Sequence, residues 1–167
     1  MEINKILAEQ FAATNNQKNW FAPLQSSIDG ITAELACWKN ENLDHSILEI
    51  VHHLIYWNER HLKKLKEMHL EEMTGDNAST FENGLTIISD SEWKLVLGQL
   101  NSVMNELQNE ILKCDDAKLD SFISIENKSR WHSVIANMNL HNAYHTGQIV
   151  LIRKMQKSWD SKKNGVN

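Results

Sequence analysis

Apolar residues recur every three or four positions through most of the chain, and no strand-like alternation of useful length competes with that rhythm. The pattern predicts an all-α fold. Ile3, Ile6, Leu7 and Phe11 mark a first helix from about Glu2 to Thr14. After an Asn-rich joint, residues 19–28 place Trp20, Leu24 and Ile28 on one side. Pro23 fits a first turn there, where its missing N–H does no harm, and Gly30 stops the segment. Thr32-Ala33-Glu34-Leu35 starts one more short turn.

Ser46-Ile47-Leu48-Glu49 has the S-x-x-E spacing in which a serine hydroxyl caps an orphan amide and the glutamate reaches back to the cap residue. The helix it opens carries Ile47, Ile50, Val51, Leu54, Trp57, Leu62 and Leu65 and runs to about His69, before Thr74-Gly75-Asp76-Asn77 breaks it. Ser89-Asp90-Ser91-Glu92 is a second such box, followed by Trp93, Val96, Leu97, Leu100, Val103, Met104, Leu107 and Ile111. Ser129 or a neighbour begins the last helix, with Trp131, Val134, Ile135, Met138, His141, His145, Ile149 and Ile152. The expected architecture is a four-helix bundle with a short extra helical segment between helices one and two. The connections 74–88 and 114–128 are long enough to be crossovers, so up-down-up-down order is not required. Length alone does not say whether residues 74–88 form a plain crossover or cover a site.

At 167 residues the chain suits a single domain spanning 1–167 with its own core. Hydrophobic residues at 41%, charged residues at 23% and one proline are a globular composition that permits long helices. A net charge of -5 argues against a nucleic-acid surface, which needs clustered Lys and Arg. No signal-like start follows Met1, and no apolar run approaches the length of a membrane span, so neither secretion nor insertion is expected. Cys37 and Cys114 read as two reduced thiols of a cytoplasmic protein. Trp20, Trp57, Trp93 and Trp131 fall on the apolar stripes and are expected in the core.

The chemistry lies in the histidines. His141 and His145, four apart on a helix, share one face with about 5–6 Å between Cβ atoms. Burying two neutral imidazoles without partners costs about 1–3 kcal/mol each, so each needs a carbonyl or hydroxyl, or both need a shared cation. Helix two offers a third ring: periodicity favours His61, while His53 sits at the edge of the stripe and His52 at the opposite edge. Spacing leaves the choice open. His45, His69 and His132 read as surface or capping residues. An all-nitrogen site with one open position suits zinc, nickel, iron or copper. Asn142 stands where the glutamate of H-E-x-x-H would be, which disfavours a zincin-type protease.

Three stretches carry a family resemblance: HNAYHTGQIVLIRK, with two histidines followed by Gly-Gln; SILEIVHHLIYWNE, in which a histidine precedes Leu-x-x-Trp; and NWFAPLQSSIDGITAELA, a Trp-to-Thr-x-Glu segment. In order and spacing the chain resembles the DinB-like family of metal-binding four-helix bundles. The resemblance implies that His53, immediately before Leu54, joins His141 and His145 as metal ligands. It also implies nickel or zinc as the divalent metal and a homodimer. Relatives include transferases that use bacillithiol or mycothiol.

The leading functional expectation is a metal-dependent thiol S-transferase that joins a low-molecular-weight thiol to a small-molecule substrate. A metal-dependent hydrolase and a non-catalytic metal or small-ligand binding protein are the alternatives. Glu49, one turn before His53, is a weak catalytic candidate and has the capping role as its simpler reading. Gln148 is expected to orient a ligand histidine, face the site, or bond between helices. Gly147 is expected to mark close packing beside the metal, since a mid-helix glycine costs about 1 kcal/mol relative to alanine.

Overall fold

A computed structural model describes residues 2–81, 88–124 and 128–164. Its four long helices are α1 (Ile3–Asn15), α4 (Ile47–Leu65), α5 (Asp90–Lys113) and α7 (Trp131–Met155). Short helices α2 (Leu24–Ile28), α3 (Ala33–Cys37), α6 (Asp116–Asp120) and α8 (Ser161–Asn164) and a 3-10 turn (Ala78–Thr80) fill the connections. No strand occurs among the described residues.

Cross-helix hydrogen bonds give the directions. Asn139 donates to the Leu7 carbonyl and Lys18 to the Lys163 carbonyl, so α1 and α7 run parallel. Asn4 reaches the Leu112 carbonyl and Gln25 reaches Asn101, which sets α5 antiparallel to the N-terminal segment. Asn58 pairs with Asn142, while His53, earlier on α4, packs against His145, later on α7, so α4 is antiparallel to α7. The order is therefore up-down-down-up: α4 and α5 run the same way, and a long crossover must join them.

Apolar side chains from all four long helices meet at the centre, with Phe11, Leu48, Leu54, Leu100, Met104, Leu107, Ile111, Ile135 and Ile149 almost wholly buried. A polar pair lies inside the bundle as well. Asn58 and Asn142 exchange amide hydrogen bonds of 2.9 and 3.0 Å, each donating to the other's carbonyl oxygen, and Asn58 also donates to the Leu54 carbonyl. Both are nearly inaccessible. This reciprocal lock fixes the register of α4 on α7, and so of the histidines near it on each helix.

Both capping boxes form as the spacing requires. Helix α4 nonetheless stops at Leu65 rather than at about His69. Glu67 takes φ 57°, while the Met68 and Glu67 amides bond back to the Lys63 and Lys64 carbonyls. Lys157 closes α7 in the same way. Helices usually make this left-handed stop with glycine, so a glutamate or a lysine in that place gave no signal. The two short segments expected between the first two long helices form as α2 and α3, and part of the segment after Cys114 is helix α6.

Three packing expectations need correction. Trp20 is 95% exposed because the segment before Pro23 is not helical and its ring never reaches the stripe. Ile3 and Ile6 are also exposed, since α1 buries only its Leu7–Phe11 side. Trp57 is half-buried, whereas Trp93, whose indole donates to the Ile31 carbonyl, and Trp131 are core residues.

Candidate metal centre

Helix α4 presents His53, and α7 presents His141 and His145 from one face. Their candidate donor atoms all lie within 4.8 Å of one another. His53 and His145 are buried and His141 is half-buried. The structure thus brings together the three histidines that the resemblance singled out. His52 and His61 stand apart from this cluster and point to two separate cavities.

The hydrogen bonds on the outer side of the rings decide which nitrogens face inward. Thr80 gives its single hydroxyl proton to the Asn77 carbonyl at 2.7 Å, so its oxygen accepts from Nδ1 of His53 at 2.6 Å. Nδ1 of His145 lies 2.6 Å from Oε1 of Gln148, an acceptor, and so also carries its proton. In both rings Nε2 is left with a free lone pair, and that of His53 faces the His141 ring. His53 Nε2 lies 2.9 Å from His141 Nε2, close to the roughly 3 Å between two nitrogens that share one ion at metal–nitrogen distances of about 2.0–2.1 Å.

Protonation would defeat such a site, and the surroundings oppose it. Burial, reinforced by the neighbouring imidazoles of His145 and His141, holds His53 down at about 3. Burial and His141 hold His145 at about 4, and burial lowers His141. All three rings are neutral at physiological pH, as nitrogen ligands must be. A set of neutral imidazoles with fixed tautomers fits a borderline transition metal rather than a hard, oxygen-seeking one.

The crossover between α4 and α5 supplies the cover. Phe81 stacks on His53 with centroids 3.8 Å apart and on His45 at the same 3.8 Å, so it is sandwiched between two imidazoles. His45 is therefore part of the site's surroundings rather than a plain surface or capping residue. Of the connection 74–88, residues 82–87 lie outside the described residues.

Two further expectations meet their surroundings here. Glu49 accepts from the Ser46 amide at 2.6 Å and pairs with Lys39 at 3.2 Å. Partial burial alone would raise its pKa, but the Ser46 amide and the Lys39 ammonium outweigh that and hold it below the ordinary value. The Ser46 amide is the partner its capping role demands, and Lys39 adds an ion pair outside the site. Gly147 is exposed, and a Cβ built on it meets nothing within 4 Å, so the expected close packing beside the site is absent. The glycine is on the outer side of α7, turned away from the ligand face.

Thr80, Phe81 and the Asn58–Asn142 pair were not singled out by sequence reasoning. The first two sit in an irregular polar connection that has no period to place them, while the spacing of Asn58 and Asn142 along their stripes could have flagged the pair.

No curated protein matches the chain. The family model described as DinB superfamily matches residues 19–149, a span that contains His53, His141, His145 and the cover formed by Thr80 and Phe81. With more than half of its length matched, the chain belongs to the DinB superfamily.

Proposed function

We propose that His53, His141 and His145 hold one zinc or nickel ion through Nε2, and that the protein is a cytoplasmic thiol S-transferase acting on a small, uncharged electrophile. The observation that carries this reading is the pair of outward hydrogen bonds, Thr80 on His53 and Gln148 on His145, which leave both Nε2 lone pairs free for an ion. An ion bound there with an open position supplies a Lewis acid that lowers the pKa of a low-molecular-weight thiol at neutral pH. The chain's own residues do the rest: Thr80 and Gln148 orient the ligands, Phe81 shields His53, and the cavity beside His141 receives the second substrate. That cavity, about 310 Å³ and walled by Trp57, Ile123, Val134 and Met138, favours an enzyme over an ion that merely ties α4 to α7.

The homodimer belongs to the same proposal. Leu140, Tyr144, Leu151 and Met155 expose an apolar stripe along the outside of α7, with Gly147 in its middle. A second copy of the chain is the occupant proposed for it.

Elemental analysis of protein purified without an affinity tag tests the premise. The expected result is about one zinc or nickel per chain in wild type and in His52→Ala, and none in His53→Ala or His145→Ala. Finding no transition metal bound, and none taken up, overturns the reading. Given a loaded centre, loss of a model electrophile that requires an added thiol supports transfer, whereas turnover without thiol points to hydrolysis.

A further inference from the structure

The cavity beside His141 has a polarity that the metal reading does not use. None of its described lining residues is Asp, Glu, Lys or Arg, and its walls are mostly apolar. A charged occupant would lose its hydration there with no opposite charge to replace it, so such a lining selects a neutral molecule. Trp57 and Met138 offer flat and adaptable surfaces, and His61 and Asn137 offer polar atoms.

His61 gives the cavity a direction. Its Nδ1 is sealed from solvent and has no hydrogen-bond partner among the described residues. A proton on that nitrogen would be a buried orphan N–H, at a cost of about 1–3 kcal/mol. A proton on Nε2 avoids this and leaves only an unused lone pair at the sealed position. Burial, with smaller contributions from Lys64, His141 and Arg60, holds the ring's pKa at about 4, so the imidazole is neutral and has one N–H to give. His61 lines the cavity, and since only its Nδ1 is sealed without a partner, Nε2 is the nitrogen left to face that space.

We infer that His61 is a neutral hydrogen-bond donor whose Nε2–H binds the carbonyl oxygen of an uncharged, planar substrate lodged against Trp57 and Met138, next to His141. The geometry rests on the cavity and on the sealed Nδ1; the purpose rests on the transfer reading above, in which this carbonyl compound is the electrophile. An imidazole suits this task better than a cation, because a buried positive charge would itself need a partner. It also suits it better than a hydroxyl, whose proton rotates toward whatever acceptor is nearest.

The test uses the full chain, metal-free and 15N-labelled, with acetophenone and ethylbenzene as probes that share a shape and differ in the carbonyl oxygen. Long-range 1H–15N correlation spectra at neutral pH, with the His61 signals assigned by their loss in His61→Leu, report the tautomer. The expected result is Nε2–H, a shift of that nitrogen on adding acetophenone, and saturable binding of acetophenone about tenfold tighter than ethylbenzene. In His61→Leu the preference should vanish while ethylbenzene still binds. An Nδ1–H tautomer, equal affinities in wild type, or a preference that survives His61→Leu overturns the inference. If His61→Leu fails to fold, the His61 Nε2–H signals, then assigned against His61→Gln, and the wild-type affinity ratio still decide it. Failure of the metal reading shows separately, as absent metal uptake, and leaves the acetophenone preference untouched.

Discussion

Replacing Thr80 by valine removes one hydroxyl and keeps a branched side chain of the same outline, so it breaks one hydrogen bond to one ligand ring together with a local one to the Asn77 carbonyl. In the native chain that oxygen lies 2.6 Å from Nδ1 of His53, and His53 is 2% exposed. Water therefore cannot readily replace it. Loss of the acceptor leaves a buried N–H unpaired, at about 1–3 kcal/mol, unless the ring turns or the proton moves to Nε2, and either response takes a lone pair away from the cluster. Removing the outer partner of a metal-ligating histidine typically weakens metal affinity about 10–100-fold, the same range expressed as an equilibrium constant. Competition for zinc against a chromophoric chelator near neutral pH should thus show Thr80→Val about 10–100-fold weaker than wild type, with stoichiometry unchanged. Thr14→Val is the control: its side chain is at least as buried and its hydroxyl bonds to the Phe11 carbonyl in α1, away from the rings. A Thr80→Val affinity within about twofold of wild type, or no different from the Thr14→Val control, would falsify the idea that the crossover sets the orientation of His53.

The remaining predictions concern stability and assembly. Asn58→Leu and Asn142→Leu should each lower stability by about 1–3 kcal/mol in thermal or urea unfolding, because each strands the other amide, and the double variant should recover much of that loss; additive losses would refute the lock. Below pH 6.5 the unfolded chain binds protons that the folded chain refuses, with His61 and His145 held at about 4 and His53 at about 3. Stability of the metal-free protein is therefore full above about pH 6.5 and declines as pH falls toward 4, with His61 alone contributing about 3 kcal/mol; a urea midpoint flat across that window would contradict it. In the Leu151→Glu background, where the stripe is uncovered and the new methyl meets nothing, Gly147→Ala should raise the melting temperature by an increment worth about 1 kcal/mol. Leu151→Glu, in the exposed stripe, should shift the protein to monomer in light scattering while leaving metal content at the wild-type level.

Much of the architecture was legible because it depends on periodicity and caps, which are local. Ser46 and Ser89 with their glutamates placed the starts of α4 and α5, and Gly30, at φ +73°, ended α2's segment as a glycine can. The stops at Glu67 and Lys157 were hidden because the chain adopts a left-handed turn with residues that rarely choose it. At the centre, the four-residue spacing of His141 and His145 was sufficient for two ligands. The third was ambiguous, since three histidines lie on α4 and the stripe alone favoured His61. Long-range hydrogen bonds separate them: His53 meets Thr80, which is 27 positions away and belongs to a segment with no rhythm of its own. Gly147 misled for a related reason, because a glycine's sequence context cannot say whether its empty side faces a neighbour or solvent.

Phe81 and Thr80 come from the crossover, not from the four long helices, and this divides the protein into a chassis and a roof. The chassis holds its shape through the apolar side chains of the four long helices and the Asn58–Asn142 lock, and Phe81 of the roof packs onto that core. Ring orientation and access to the rings are thus set by a segment separate from the helices that carry the ligands, so a change in that one connection can alter the chemistry while the ligand spacing stays fixed.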